Sequence, residues 1–191
     1  MKKYFLLTVL TLVATLWSNA QNLDKMQWFN EPESYTIRNG KLEMHVPAQT
    51  DYWRIAHYGF TVDDGPFLYT TVGGEFEAKI KVSGDYKVRF DQAGMMIRKD
   101  PSDWSVIELK EPIPFLWLKA VRRLDAIELY YSFDDKEYTM MRTLWMQDNC
   151  PLMVGPVAAC PDGQGFKAVF SHFKVKHLPD QRRVEWLMNN Q

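Results

Sequence analysis

Apolar and polar residues alternate with a period of two along most of this chain, while the helical period of 3.6 residues is scarce. Successive side chains of a β-strand point to opposite faces, so this alternation is typical of half-buried strands. It predicts short strands at 35–38, 41–46, 52–58, 67–72, 75–82, 86–98 with an interruption, 106–109, 116–122, 127–133, 138–144, 152–159 and 166–175. The chain is therefore predicted to be all-β.

Residues that favour chain reversal separate these segments. They are Asn39-Gly40, Asp64-Gly65-Pro66, Gly73-Gly74, Ser83-Gly84-Asp85, Asp134-Asp135 and Pro161-Asp162-Gly163. Glycine and asparagine accept positive φ angles, and aspartate and serine side chains bond to nearby backbone groups. Short strands at this spacing predict a two-sheet antiparallel sandwich or jelly roll.

The alternation also predicts which faces are buried. Along 75–82 the charged residues fall on one side and the apolar residues on the other, so one face of this strand is expected to meet solvent. The segments 93–97 and 152–155 are apolar on both sides. These two segments are therefore predicted to be central strands, or strands beneath a covering loop.

The first twenty residues have the features of an export signal. Lys2 and Lys3 form a positive end, residues 4–16 are apolar except for threonines, and residues 18–20 are small enough for a signal peptidase. The mature chain is then expected to begin at Gln21 and to be periplasmic or extracellular. The apolar run is too short to span a bilayer comfortably, and no cysteine follows it to carry a lipid.

Residues 21–178 are expected to form one β-sandwich domain, since no repeat or linker divides them. Residues 179–191 then form a short helical or flexible tail. Asp180 can cap a helix there, although a frayed tail is an equal alternative. The apolar stripe of such a helix would consist of Val184, Leu187 and Met188.

The charge pattern gives no support to a nucleic-acid partner. Without Lys2 and Lys3 the chain has 21 basic and 24 acidic residues, and the basic residues are scattered along the sequence. Arg122-Arg123 and Arg182-Arg183 are the arginine doublets. The sequence therefore predicts a solvated surface, with no nucleic acid or other polyanion as partner and, once the signal is removed, no membrane.

Cys150 and Cys160 raise the question of a disulfide, because an exported chain meets oxidising conditions. The apolar segment between them is predicted to be extended, and ten extended residues span roughly 33 Å, whereas bridged Cα atoms lie within about 7 Å. A bridge would require the chain to turn back at Gly155-Pro156. Two buried thiols that pack as small apolar groups are the preferred interpretation.

Several short segments occur in an informative order. They are Trp-Phe-Asn-Glu-Pro at 28–32, Thr-Asp-Tyr-Trp-Arg at 50–54, His-Tyr-Gly-Phe at 57–60, Asp-Gln-Ala-Gly-Met-Met-Ile-Arg at 91–98, Ser-Asp-Trp-Ser at 102–105, Trp-Leu-Lys at 117–119, Tyr-Ser-Phe-Asp at 131–134, residues 155–166 and Phe-Ser-His-Phe-Lys-Val at 170–175. In this order they resemble bacterial concanavalin A-like domains of unknown function, a family that also includes a yeast regulator of enolase. The resemblance implies a two-sheet jelly roll of the lectin and glucanase superfamily, a fold that serves both to bind and to cleave sugars.

The chain departs from the family that it resembles at one place. Similar domains carry a further hairpin with a Trp-x-Lys-x-Gly-x-Glu pattern before the Ser-Asp-Trp-Ser segment, whereas here Asp100 and Pro101 run directly into Ser102. The lysine and glutamate of that hairpin have no counterpart. Because losing an antiparallel hairpin preserves the chain direction, we expect a foldable domain with a narrower sheet, a changed groove or a newly exposed edge.

No residue set predicts catalysis or metal binding. Glycosidases use two carboxylates, and glucanases of the superfamily that this chain resembles carry them in a Glu-x-Asp-x-Glu strand pattern. Glu75-Phe76-Glu77 is the nearest approach, but it lacks the third acid and the central aspartate. Asp63-Asp64 and Asp134-Asp135 can ligate calcium, yet aspartate is common at turns for backbone reasons. No catalytic residue, metal or cofactor is assigned.

Aromatic residues give the better functional indication, because sugars stack their apolar C–H faces on rings. Trp117, Phe133 and Phe173 have apolar neighbours and are predicted to lie in the core, whereas Trp53 and Trp104 lie among polar residues. The candidate ligand-binding residues are Trp53, His57, Gln92, Arg98, Asp103 and Trp104.

Alternation places Trp53 and His57 on one face of a strand and Gln92 and Arg98 on one face of another, which predicts a groove that can bind a saccharide. The structural alternative is that Trp53 closes the core and Asp103 only ties a turn.

Three functions compete, in descending order of support: a noncatalytic carbohydrate-binding module, a structural or protein-interaction domain of the cell envelope, and a glycoside hydrolase. The last would depend on Glu75, Glu77 or Glu108. The sequence does not specify the sugar or the oligomeric state.

Overall fold

The computed structural model describes residues 22–57, 59–109, 113–147 and 150–189, so the export signal predicted at 1–20 lies outside the described residues. The elements are a short 3₁₀ helix at Leu23–Lys25, strands β1 (Gln27–Phe29), β2 (Tyr35–Arg38), β3 (Lys41–Val46), β4 (Tyr52–Arg54), β5 (Thr61–Asp63), β6 (Phe67–Val72), β7 (Phe76–Gly84), β8 (Gln92–Asp100), β9 (Asp103–Leu109), β10 (Leu116–Arg123), β11 (Ala126–Ser132), β12 (Thr139–Trp145), β13 (Leu152–Ala159) and β14 (Phe166–His177), and helix α1 (Gln181–Asn189). In this part of the chain no helix is both long and apolar enough to cross a membrane.

Two antiparallel sheets face each other across the core. The five-stranded sheet has the order β1-β6-β13-β8-β9, and the seven-stranded sheet has the order β12-β11-β10-β7-β14-β3-β2. Strands β4 and β5 form a separate two-stranded ribbon. The predicted all-β, two-sheet antiparallel jelly-roll sandwich is confirmed.

Alternation along each strand decides what the core contains. On β7, Phe76, Ala78 and Ile80 are buried, while Lys79 and Lys81 on the opposite face are partly exposed, as the sequence predicts. Strands β8 and β13 are central and buried on both faces, also as predicted. Their second face contributes to a smaller apolar cluster of Tyr52, Phe67, Met96, Val157 and Ala159. Each large apolar side chain buried in these clusters contributes about 2 kcal/mol to stability.

Some predicted boundaries were wrong for identifiable local reasons. The strand predicted at 52–58 ends at Arg54, because Ile55 and His57 adopt positive φ angles of 52° and 66° that turn the chain. Strand β9 begins at Asp103 rather than at Val106. Strands β1 and β5 were missed, since three residues are too few to show an alternation.

Two of the three predicted core aromatic residues lie elsewhere. Phe173 is buried in the core, whereas Phe133 is 63% exposed because it follows the end of β11 at the edge of the seven-stranded sheet. Trp117 is buried, but alternation along β10 places it on the outer face, where it packs against His172. Apolar neighbours in the sequence therefore predicted burial better than they predicted the side of the sheet.

A tight turn joins β8 directly to β9, at the place where the resemblance predicts a missing hairpin. Asp100 pairs with Asp103 across this turn, and the Asp100 carboxylate accepts hydrogen bonds from the backbone N–H of Ser102 at 2.7 Å and from its hydroxyl at 2.6 Å. These bonds lower the pKa of Asp100. Strands β8 and β9 are therefore joined by a turn that is stabilised by its own hydrogen bonds.

Helix α1 is held to the sandwich through Glu75. The buried Glu75 carboxylate accepts hydrogen bonds from Arg123 at 2.7 Å and from the backbone N–H of Gln181 at 3.0 Å. Asp180 caps the helix by accepting from the N–H of Arg182 at 2.9 Å. Met188 is 74% exposed, so the predicted apolar stripe does not bury it, and the side chains of Val184 and Leu187 lie outside the described part.

Both cysteines are free thiols at opposite ends of the extended strand β13. Cys160 is buried and donates its S–H to Asp91 at 3.0 Å, whereas Cys150 is partly exposed and donates to the carbonyl of Gln147 at 3.1 Å. Burial raises the pKa of Cys160, and the hydrogen bond to Asp91 raises it further.

We therefore expect the two thiols to differ in reactivity. At pH 8 a disulfide reagent should modify Cys150 of the folded protein at least about tenfold faster than Cys160, because only thiolates react and Cys160 is both buried and protonated. The rate of each modification is measured by the thiolate that the reagent releases, and Cys150→Ser should remove the fast phase. Two equally fast thiols in the folded protein would contradict the assignment.

Candidate ligand-binding groove

A groove of about 920 Å³ lies on the outer face of the five-stranded sheet, beside the β4–β5 ribbon. Gly94, Val157 and Ala159 of β8 and β13 line it from the sheet, and Trp53 and Phe60 line it from the ribbon and its turn. Gly94 has a steric reason to be glycine, since a Cβ atom there would lie 2.0 Å from the carbonyl oxygen of Ile107. The sandwich thus provides a rigid floor and the ribbon provides a wall.

Two half-buried tryptophans face this groove from different elements. Trp53 on β4 donates its indole N–H to the carbonyl of Ala56 at 2.8 Å, and its ring centroid lies 6.2 Å from that of Phe60. Trp104 on β9 packs edge-on against Tyr52, with the centroids 5.9 Å apart. Both indoles are fixed by neighbours and keep part of their surface open, so neither is sealed in the core.

Polar side chains share the groove with the rings. Gln92 donates its amide N–H to the Asp51 carboxylate at 3.1 Å, and Asp51 also accepts from the backbone N–H of Tyr52 at 2.8 Å. Arg54 donates to the carbonyl of Pro101 at 2.6 Å, which ties the ribbon to the β8–β9 turn. Further charged lining residues are Glu108, Arg142 and Asp162.

A buried ion pair anchors the ribbon beneath the groove. The Arg98 side chain is 1% exposed and its two terminal nitrogens donate to the two carboxylate oxygens of Asp63, at 2.5 and 2.6 Å. Its guanidinium also lies 4.4 Å above the ring of Phe29. The hydrogen bonds to Asp63 raise the pKa of Arg98. Arg98 is therefore a permanent buried cation with a positioning role.

Burial also governs Tyr52, which lies under the ribbon. Its hydroxyl donates to the carbonyl of Gly65 at 2.6 Å. Burial, and then the nearby Asp63 carboxylate, raise the pKa of Tyr52. Tyr52 therefore stays neutral and acts as a support for Trp104.

The structure brings three of the six candidate residues together. Trp53, Gln92 and Trp104 line the groove. His57 does not, because the turn after β4 directs it away as an exposed residue. Arg98 is occupied by Asp63, and Asp103 begins β9 with its carboxylate 3.8 Å from Lys99. These three residues therefore do not line the groove.

Sequence reasoning missed several lining residues that arrive from distant segments. Phe60 and Phe90 are exposed aromatic residues in turns, and Arg142 comes from β12 of the other sheet. Phe60 carried a usable signal, since it is a large ring outside any predicted alternating segment, whereas Phe90 fell inside the strand predicted at 86–98. No local sequence pattern indicated Arg142, because its place in the groove depends on how the two sheets pack against each other.

Of the glutamates considered for catalysis, Glu108 lines the groove, whereas several of the other acidic residues considered have structural partners. Glu75 holds helix α1 and does not line the groove, Asp63 binds Arg98, and Asp135 binds Lys79 at 2.6 Å. Asp134 accepts from the N–H groups of Lys136 and Glu137, which together with the hydroxyl of Ser132 lower its pKa. Within the described ranges, no three histidine, cysteine or acidic side chains are grouped so as to hold a metal ion.

A two-sheet jelly roll with an aromatic groove on one sheet defines a concanavalin A-like β-sandwich. The chain belongs to the DUF1349 family, whose description is "protein of unknown function", and the family model matches residues 28–104 and 98–178. The two matches overlap at residues 98–104, which include the β8–β9 turn.

Known proteins share this sequence and fold. A relative from Saccharomyces cerevisiae, "Regulation of enolase protein 1", is 28% identical over 183 residues, which cover 83% of this chain and 92% of the relative. A solved structure of a functionally unknown protein from Saccharomyces cerevisiae has a TM-score of 0.75 and 26% identity, and covers 82% of this chain and 98% of its own. A GH43 protein from Bacillus licheniformis matches with a TM-score of 0.60 at 15% identity, over 80% of this chain and 37% of its own, which shows the fold alone.

Proposed function

We propose that this protein is an exported, noncatalytic β-sandwich module that binds a saccharide in the groove. One observation carries the proposal: Trp53 and Trp104, from two separate elements, are held half-buried in the same groove. Core tryptophans would be sealed from solvent, and surface tryptophans would not converge. The signal-like segment at 1–20 supports export.

The chemistry of the lining supports a saccharide as the ligand class. Indole rings accept the C–H faces of pyranoses, while carboxylate, amide and guanidinium groups bind hydroxyls. Asp51, Gln92 and Arg54 supply such groups beside the rings. A volume of about 920 Å³ is at the upper end of ordinary ligand pockets, which is enough for more than one sugar unit.

The same contacts favour binding over cleavage. Hydrolysis requires an acid and a second carboxylate placed on either side of the scissile bond. The Asp51 carboxylate accepts hydrogen bonds from the Gln92 amide and from a backbone N–H, and these bonds fix it in the wall of the groove. Glu75 is fixed in an ion pair with Arg123 away from the groove.

We expect Trp53→Ala and Trp104→Ala each to weaken retention on the cognate glycan by roughly tenfold, because each loses about 1–1.5 kcal/mol of ring stacking. Affinity electrophoresis against a panel of soluble and insoluble neutral glycans measures retention, and a reducing-end assay on the same samples measures cleavage. The matched control is Trp145→Ala, because Trp145 is 68% exposed on β12 and does not line the groove.

Three outcomes would contradict the proposal. One is retention by no glycan in the panel, and another is an equal loss with Trp145→Ala. The third is released reducing ends that disappear when Glu108 becomes glutamine, which would make the protein a glycoside hydrolase.

A second candidate function, a protein-interaction module, is favoured by the exposed apolar edge of the seven-stranded sheet. Large exposed side chains cluster on and beside edge strand β12: Phe133, Met140, Met141 and Trp145. Unpaired edges with exposed apolar residues are common association surfaces. The yeast relative is also named for the regulation of another protein. Concentration-dependent sedimentation that Trp145→Ala abolishes would favour this function over the first.

A further inference from the structure

Three lysines stand side by side on the outer face of the seven-stranded sheet. Lys174 of β14 pairs directly with Lys79 of β7, and Lys79 pairs directly with Lys119 of β10. Neighbouring strands are about 4.8 Å apart, so the lysine row, as we call these three residues, extends over roughly 10 Å. Lys81 lies two residues along β7 on the same face.

This arrangement is unfavourable for the fold alone. Like charges directly opposite each other on neighbouring strands repel, and the destabilisation is felt on both sides of Lys79. Lys79 has a carboxylate partner in Asp135 at 2.6 Å. Among the described residues, no carboxylate lies within salt-bridge distance of Lys119, Lys174 or Lys81. Glu77 lies on the same face of β7, two residues before Lys79, so the positive charge is confined to the row itself and to Lys81.

Aromatic rings support the ammonium groups of this face. Lys119 lies 4.7 Å from the ring centroid of Tyr130 and 4.0 Å from that of Tyr138. Lys79 lies 5.3 Å from the Trp117 centroid. Lys81 likewise stands over Phe115, at 3.7 Å. Cation–π contacts of this kind hold the lysines in place while leaving their N–H donors available.

We propose that the lysine row is a second binding site, for an acidic polysaccharide whose uronate carboxylates bind the ammonium groups. Successive carboxylates of an extended two-fold chain point to opposite sides, so the carboxylates of alternate sugar units are the ones that can meet Lys119 and Lys174, which lie two strand spacings, roughly 10 Å, apart. This site is on the opposite sheet from the groove and does not depend on it.

Two other anionic partners fit the geometry less well. A nucleic acid requires a wider basic footprint, usually rich in arginine, whereas this row consists of lysines alone. A lipid surface requires rings that project beyond the cations, whereas Trp117 is buried beneath Lys79 and Lys81. The flat, lysine-covered face therefore favours an extended carboxylated chain.

The test is native affinity electrophoresis of the whole protein in gels that contain polygalacturonate, with fully methyl-esterified pectin as the uncharged probe of the same backbone. The variant is the double substitution Lys119→Gln and Lys174→Gln. Lys167→Gln is the matched control, because Lys167 lies on the same face of β14 but pairs with Glu43 outside the row. Trp53→Ala serves as the control for the groove.

We expect polygalacturonate, but not the methyl ester, to retard the wild-type protein, and the double variant to bind about tenfold more weakly, since it loses two of the charge contacts of the row. Lys167→Gln and Trp53→Ala should bind as the wild type does. Retention should vanish in about 1 M salt, where the Debye length is about 3 Å. The melting temperature of the double variant should stay close to that of the wild type, because relief of the like-charge repulsion offsets the loss of the cation–π contacts of Lys119.

Several results would overturn the assignment. They are equal retardation by the charged and esterified probes, no retardation by polygalacturonate, and equal binding of the wild-type protein and the double variant. Tighter binding to anionic phosphatidylglycerol vesicles or to duplex DNA, with the same dependence on the lysine row, would overturn it in favour of that partner. A melting temperature of the double variant well below that of the wild type would show that the row serves the fold.

Discussion

Replacing Asp63 by alanine is expected to destabilise the protein by about 3 kcal/mol, because it leaves a buried cation without its counter-charge. Arg98 is 1% exposed and both of its terminal nitrogens donate to Asp63, whereas Asp63 itself is 25% exposed and retains some contact with water. Urea unfolding followed by tryptophan fluorescence measures the effect as a lower midpoint with an unchanged slope.

Companion variants show whether the stability lost in Asp63→Ala comes from the unpaired charge of Arg98 or from lost packing. In the double variant Asp63→Ala with Arg98→Met, an apolar chain of similar length replaces the cation, so we expect much of the lost stability to return. The β4–β5 ribbon would then lack its anchor, and glycan retention should still fall. A loss below about 1 kcal/mol for Asp63→Ala, or simple additivity in the double variant, would contradict the assigned role of Arg98.

The second large effect concerns Gly155 in the central strand β13. A Cβ atom at this position would lie 2.0 Å from the carbonyl oxygen of Leu68 in β6. That neighbour is backbone in a hydrogen-bonded sheet and cannot rotate away, so Gly155→Ala should cost about 3 kcal/mol. Thermal unfolding measures it as a large drop in melting temperature.

Gly73→Ala is the matched control for this substitution. No heavy atom lies within 4 Å of the Cβ position of Gly73, and its φ is not positive. The same chemical change should therefore be neutral, or stabilising by about 0.4–1 kcal/mol through the unfolded chain. Equal melting temperatures for Gly155→Ala and Gly73→Ala would show that β6 and β13 approach each other less closely than the structure indicates.

The sequence predicts strand positions well where alternation is long and bounded by turn residues. The predicted limits of β2, β3, β6 and β13 coincide with the observed ones. It cannot predict which strands become neighbours, because that depends on contacts between remote segments. The pairing of β14 with both β3 and β7 is an example, since neither partner is adjacent to it in the chain.

The candidate groove was predictable only in part, because it too is formed by contacts between remote segments. Trp53 and Trp104 stood out as large rings among polar residues, and both line the groove. His57 was placed wrongly because nothing in the local alternation shows that the strand ends at Arg54. Arg98 was placed on the correct face of β8, but its partner Asp63 belongs to a strand that the sequence did not indicate.

Lysines that are dispersed in the sequence become adjacent through sheet register. Lys79, Lys119 and Lys174 are separated by tens of residues, yet antiparallel pairing sets them directly opposite one another. A count of basic residues along the chain cannot detect such a row. The period-two pattern shows that each lysine faces outward, and the register shows that they meet.

The position of β14 between β3 and β7 also sets the order in which the molecule can assemble. Residues 41–46 and 76–84 share no direct hydrogen bonds and are joined only when residues 166–177 insert between them. A nascent chain therefore cannot close its larger sheet before residues 166–177 have left the ribosome. Such long sequence separation is typical of all-β proteins that fold in milliseconds to seconds, so strands β3 and β7 are expected to remain open to chaperones until then.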